Sequence, residues 1–284
     1  MSNTIETFQY RLSRPATSVY PGAHPGRMVG SGQLFKRHEP LLASPDPRRI
    51  DFRASLLDPF NGYRVRVFQQ HSKLNVYVIA DLSASMTYRG EQDKLKVLED
   101  FVLSAGQSAI QIGDSFGFMG CGQKLEKHWL LPAGPSIEPV RKLVGQFKDL
   151  SNQDTADSLL QLTHFLPNRC SLLFFVSDCH FSLARLHQIL QPLSSHTVVP
   201  LVLWDEKEYF DLPNWGLVRF KDMESRGQRT LFMRPTLKQR IIQMFEQRRE
   251  LLKHIFRSYG MEAMFISGAY RPELMTQYFQ QQML

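Results

Sequence analysis

Two apolar runs constrain this chain more than anything else in it: Asn75-Val-Tyr-Val-Ile-Ala-Asp81 and Ser171-Leu-Leu-Phe-Phe-Val-Ser-Asp178. Each is rich in apolar residues and stops on an aspartate. Runs of this kind, without polar alternation, read as strands covered on both faces. Segments with helical periodicity stand between and after them. Leu95, Leu98, Val102 and Ala105 form the apolar stripe of a helix over about 92–109, with Lys94, Lys96, Glu99 and Asp100 mostly outside. Further strands are expected at 115–121, 127–131, 197–203 and 262–266, and helices at 136–148, 155–165, 182–192 and 271–281. A long helix opens at Arg234-Pro-Thr-Leu-Lys-Gln239, where Thr236 and Gln239 have capping-box spacing, and stops at Gly260. Strands alternating with helices predict an α/β protein with a doubly wound, mostly parallel sheet flanked by helices.

The N-terminal part reads differently. Residues 1–30 are rich in Pro, Gly and Ser and are expected to be loop-like or extended. Asp46-Pro-Arg-Arg-Ile-Asp-Phe-Arg-Ala-Ser55 carries mixed charge at a density that braces a turn or makes a salt-linked surface. Tyr63 to Phe68 alternates as a strand should. The expected division is an N-terminal extension with short strands over 1–73, packing on a main domain over 74–284. Residues 223–229 read as a polar loop.

In an open α/β sheet, ligands bind beyond the carboxyl ends of the strands. The first run continues as Asp81-Leu-Ser-Ala-Ser85, a D-x-S-x-S loop that offers only oxygen atoms. Hard divalent cations such as Mg²⁺ take oxygen ligands in near-octahedral geometry and keep several waters. The loop therefore reads as a metal site with open positions. Asp178, after the second run, can be supplied by another loop on the same sheet edge.

This pattern resembles the metal-ion-dependent adhesion site of von Willebrand factor A domains. The resemblance implies Mg²⁺ (or Mn²⁺ or Ca²⁺) held by Asp81, Ser83, Ser85, a threonine and Asp178, with one position open to a partner's carboxylate. The family usually shows Gly-Gly-Thr before a helix, and this chain has Ser151-Asn-Gln-Asp-Thr-Ala-Asp-Ser-Leu159. Aligning Leu159 with the helix leucine puts the threonine position on Gln153, and Thr155 lies two residues on. Either Thr155 serves, or the site is altered and binds metal more weakly. Met86, Gln153 and His180 around the loops, with Arg48 and Arg49 upstream, are the candidate partner contacts.

The Asp46–Ser55 segment, a basic strand and then D-x-S-x-S together resemble the bacterial domain-of-unknown-function family fifty-eight, typically encoded beside MoxR-type AAA+ ATPases. The family's Gly-Asp-Asp-x-Arg-x-Ile-Asp-Trp appears here with Ser44-Pro45-Asp46 at its start and Phe52 in place of the tryptophan. The likeness covers about residues 30–205. It implies a non-catalytic, partner-binding adaptor that works with such an ATPase in maturing or remodelling client proteins.

The formal net charge of +7 attracts nucleic acid, anionic lipid or acidic protein. The helix carrying Lys238, Arg240, Arg248, Arg249, Lys253 and Arg257 makes nucleic-acid binding the alternative function. A metal-dependent phosphatase is a second alternative, but it needs an acid two residues after Asp81, where Ser83 stands. There is no Gly-x-Ser-x-Gly turn and no phosphate-binding Gly-x-x-x-x-Gly-Lys-Ser/Thr loop, so no enzyme is expected. The three cysteines, Cys121, Cys170 and Cys179, suit a reducing compartment. No run of about 18 apolar residues and no apolar leader is present, so a cytoplasmic chain is expected.

Overall fold

Before the apolar runs begin, β1 (Pro21–Gly30), β2 (Leu34–Pro40) and β3 (Arg64–Ser72) build a small antiparallel sheet in the order β1-β3-β2. The short helix α1 (Phe52–Leu56) lies between β2 and β3 in sequence, with Asp51 capping it through the Ala54 amide. The structure, a computed structural model, describes residues 5–11, 21–30, 34–60, 62–88, 93–150, 155–205, 212–221 and 227–282. Of residues 1–30, expected to be loop-like or extended, 21–30 are extended and pair with β3, with irregularities in register.

The main sheet follows. Its elements are β4 (Asn75–Asp81), α2 (Lys94–Gln111), β5 (Ser115–Cys121), β6 (Leu130–Gly134), α3 (Glu138–Gly145), β7 (Leu172–Ser177), α4 (Leu183–Leu193) and β8 (Thr197–Leu203). After these come a hairpin of β9 (Gly216–Lys221) and β10 (Gln228–Met233), then α5 (Pro235–Ser258), β11 (Met264–Ile266) and α6 (Pro272–Gln281). The six-stranded sheet has the order β11-β8-β7-β4-β5-β6. Every pairing is parallel except β5 with β6. This is the expected α/β sheet.

Both sheet faces are covered, which explains the unbroken apolar runs. Val76, Val78 and Ala80 of β4 join the layer made by α2, α3 and α6. Tyr77 and Ile79 point to the layer made by α4 and α5. Phe8 and Tyr10 from the N-terminal segment pack into the first layer. Fully buried Asp114 ties this segment down: it accepts from the Tyr10 hydroxyl at 2.6 Å and the Leu74 amide at 2.8 Å, and meets His24 Nε2 at 2.7 Å.

Several local expectations are corrected. Residues Asp157–His164 form a 3₁₀ helix rather than an α-helix. The Ser158 amide and hydroxyl both donate to the Gly122 carbonyl, which holds the first turn to the loop after β5. The capping box at Thr236 does not form. Pro235 takes the first helical position, as its fixed φ favours, and Arg234 becomes the cap without a side-chain bond. The strand expected at 127–131 starts later: Lys127–Trp129 form a 3₁₀ turn, and β6 begins at Leu130 and pairs antiparallel with β5. Of the expected polar loop at 223–229, residues 223–226 lie outside the described residues, and Gln228 and Arg229 begin β10.

Candidate metal and partner-binding site

The chain leaves β4 toward β5 on one side and β7 on the other. This is where strand order reverses, the place at which open α/β sheets bind ligands. Asp81 closes β4, and Asp178 follows β7 directly. The fold therefore brings the two aspartates of the two apolar runs to one crevice.

A hydrogen-bonded chain joins them. Asp81 Oδ1 accepts from the Ser83 amide at 2.9 Å, and Asp81 Oδ2 from the Ser177 hydroxyl at 2.7 Å. The Ser83 and Ser85 hydroxyls stand 3.0 Å apart. Ser85 in turn hydrogen-bonds Asp178. Asp81, Ser83 and Asp178 are each 1% exposed, and Ser85 is at 9%. The 3₁₀ turn Ala84–Thr87 that follows Ser83 points the hydroxyl of Ser85 back toward the crevice.

Lys94 completes the cluster, and nothing in its sequence context marks it. It was expected on the outer face of α2; instead it is 4% exposed, with its Nζ donating to Asp178 Oδ2 at 3.0 Å. The same ammonium lies 5.6 Å over the Tyr88 ring. Burial pushes the Asp178 carboxyl up, but the charges of His180 and Lys94 and the bonds from Lys94 and Ser85 outweigh it and hold the group below its ordinary range. Asp81 moves the other way. Burial first, then the Asp178 charge, raises it to about 6. Among the described residues no cation is paired with Asp81.

The Asp178 loop is held from several sides. The Trp204 indole donates to the Asp178 carbonyl at 2.7 Å, and the His180 ring stacks on Trp204 with its Nε2 3.9 Å from Asp178 Oδ2. Cys179 has φ +54°, the one positive value at a non-glycine among the described residues. Such strain persists only where surroundings enforce it. Here Arg248 of α5 donates to the carbonyls of Cys179 and Phe181. Asp205 is buried at the end of β8, and Lys94 and Asp205 line one small cleft with Trp204 and Gly268. Ser177, Lys94, Asp205 and Arg248 are the site residues that sequence reading missed. Asp205 alone had a visible signal, an apolar run ending in an acid.

The other candidates fare unequally. His180 is on the exposed rim of the crevice. Met86 is fully buried in the α2 layer, so it is corrected from a partner contact to a core residue; the 3₁₀ turn swings it inward. The Thr155 hydroxyl donates to Asp157 at 2.8 Å. Gln153 lies outside the described residues. Arg48 and Arg49 lie in the 3₁₀ turn Pro47–Arg49; Arg49 pairs with Asp46 at 3.2 Å and covers the Phe68 ring of β3.

The donor set suits a hard divalent cation at one end. Asp81, Ser83 and Ser85 present oxygen only, and Asp81 is a buried carboxylate with no cation of its own among the described residues. It suits zinc poorly: among the described residues no three His, Cys, Asp or Glu side chains are grouped to hold a metal. Burial pushes the thiols of Cys121 and Cys179 up. The basic face of α5 is largely spent internally. Arg248 holds the Asp178 loop, Arg257 is bidentate to Glu262 at 2.8 and 2.9 Å, and Lys253 pairs with Glu250 at 2.7 Å.

The family model described as a protein of unknown function, DUF58, matches residues 46–251. The chain belongs to DUF58. The matched stretch runs from the capped turn at Asp46 into the second half of α5 and includes Asp81, Ser83, Ser85, Lys94 and Asp178. No curated protein matches. Among solved structures, the chain is similar to a conserved hypothetical protein, BatB, from Bacteroides thetaiotaomicron: 11% identity, 73% of this chain and 98% of that one, TM-score 0.45. It is similar also to an aerotolerance-related membrane protein from Bacteroides fragilis, at 12% identity over 74% and 98% of the two chains, TM-score 0.42. Among the described residues no helix is long and apolar enough to cross a membrane.

Proposed function

We propose that this DUF58 protein is a non-catalytic protein-interaction module of the von Willebrand factor A type, which recognises an acidic side chain of a partner at the crevice between β4 and β7. The observation that carries this reading is the buried chain Asp81–Ser83–Ser85–Asp178 at the switch point of the sheet. Asp81, Ser83 and Ser85 would hold Mg²⁺, with Asp178 as the further carboxylate. When bound, the cation supplies a Lewis-acidic position to which a partner carboxylate binds. The protein's own part is to fix the Asp81 carboxylate, which the Ser177 hydroxyl and the Ser83 amide do, and to keep the loops in place, which Trp204 and Arg248 do.

The segment upstream supports contact with protein. Leu42, Phe52, Leu56, Leu57 and Phe60 are each at least 70% exposed, and exposed apolar clusters of this kind mark interaction surfaces. A MoxR-type AAA+ ATPase or its client fits as the partner, with the chain acting as its adaptor in client maturation. The test is retention of a partner from host lysate by the tagged chain, in Mg²⁺ and in EDTA, with Asp81→Ala alongside. Retention by wild type in Mg²⁺ alone supports the reading. Equal retention under all three conditions contradicts it.

A further inference from the structure

Lys94 is out of place for an ordinary helix residue. It is the first residue of α2, behind the Asp93 cap. The amino end of a helix carries partial positive charge, and a cation there is disfavoured. Burial adds a desolvation cost to the ammonium. Nothing in helix formation explains the position. What offsets both costs is Asp178, 3.0 Å away and itself 1% exposed, with the Tyr88 ring under the ammonium.

That pairing bears directly on the metal. Asp178 Oδ2 is held by Lys94, and Asp178 Oδ1 by the His180 amide at 3.3 Å. A dication at the serine hydroxyls meets two carboxylates, one of which is already neutralised. It also meets a like charge on the same carboxylate, and like charges at a few ångströms in a poorly solvated crevice repel strongly.

We propose that Lys94 is a built-in competitor of the divalent cation: its ammonium holds Asp178 in a closed, metal-free pairing, and metal takes the full site only by displacing it. The inference rests on the metal-binding reading above and adds its regulation. Lys94 sets the metal concentration at which the crevice becomes competent for a partner carboxylate.

The test is calorimetric titration of Mg²⁺ into the full chain, freed of metal with EDTA and dialysed, for wild type, Lys94→Gln, Lys94→Met, Lys94→Arg and Asp81→Asn. Lys94→Gln keeps a hydrogen-bond donor for Asp178 and protects the fold if Lys94→Met unfolds. The expected result is Mg²⁺ binding at least about tenfold tighter in the folded neutral variant than in wild type, and none in Asp81→Asn; tenfold corresponds to about 1.4 kcal/mol. Lys94→Arg, which keeps the charge, binds as weakly as wild type. Unchanged or weaker binding in Lys94→Gln, with binding still abolished by Asp81→Asn, overturns the role of Lys94 and leaves the metal site standing. No binding by wild type or by either neutral variant overturns the metal site itself, and the role of Lys94 with it.

Discussion

At the scale of single residues, the crevice is a balance of buried charges. Two carboxylates and one ammonium meet in a space where each is almost wholly removed from water. Breaking a buried pair by removing one partner costs about 3–5 kcal/mol, because the other charge stays behind unpaired. Asp178→Ala is therefore expected to lower stability by that amount in denaturant unfolding without metal, and the double variant Asp178→Ala/Lys94→Met is expected to recover much of it. Equal losses in the single and double variants would mean that the ion pair contributes nothing beyond its packing. Asp81, Ser83, Ser85 and Asp178 were legible because each stands where an apolar run ends. Lys94 was not. A lysine opening a polar helix reads as solvent-facing, and its partner is 84 positions along the chain, so only the fold joins them.

At the scale of elements, the strands that were read correctly are those buried on both faces. β4, β5, β7 and β8 follow from apolar runs that no solvent-facing strand would carry. The β9–β10 pair was missed because its strands mix polar with apolar residues and are short. That the helix expected over 155–165 is 3₁₀, over Asp157–His164, is not visible in periodicity, which cannot show that the Gly122 carbonyl captures Ser158. Around the small sheet, Asp51 binds Arg66 at 2.7 Å, the Ala54 amide at 3.2 Å and His38 at 3.1 Å. The Arg66 bond, then the Ala54 amide, then His38, hold its carboxyl well below the usual range. A carboxyl lowered on folding contributes stability above its unfolded pKa of about 3.9, and loses it as pH falls through the lower folded value. The stability gap between wild type and Asp51→Asn is thus expected to be constant near neutrality and to shrink on acidification below about pH 4. A gap that is flat down to pH 2 would contradict that bracing role.

At the scale of the whole molecule, one sheet does two jobs. Its buried faces hold the chain together, and its carboxyl edge gathers loops from β4, β7 and β8. Asp114 fastens the N-terminal segment to the opposite, amino edge of β4 through Leu74. Asp114→Ala leaves the Leu74 amide, Tyr10 and His24 without their acceptor, at about 1–3 kcal/mol for each buried group left unmade. Faster proteolytic cleavage before residue 34, with the main sheet intact by circular dichroism, is the expected result. Unchanged cleavage would show that the aromatic packing of Phe8 and Tyr10 holds the segment alone.

Amide hydrogen exchange, measured on wild type and Asp81→Asn in saturating Mg²⁺ and in EDTA, tests the central claim most directly. If the crevice is a metal-organised recognition site, Mg²⁺ slows exchange in wild type at Ser83 to Met86 and at Cys179 and His180, leaves α5 and the small sheet unchanged, and has no effect on Asp81→Asn. Exchange at those loops that is the same with and without Mg²⁺ in wild type contradicts it.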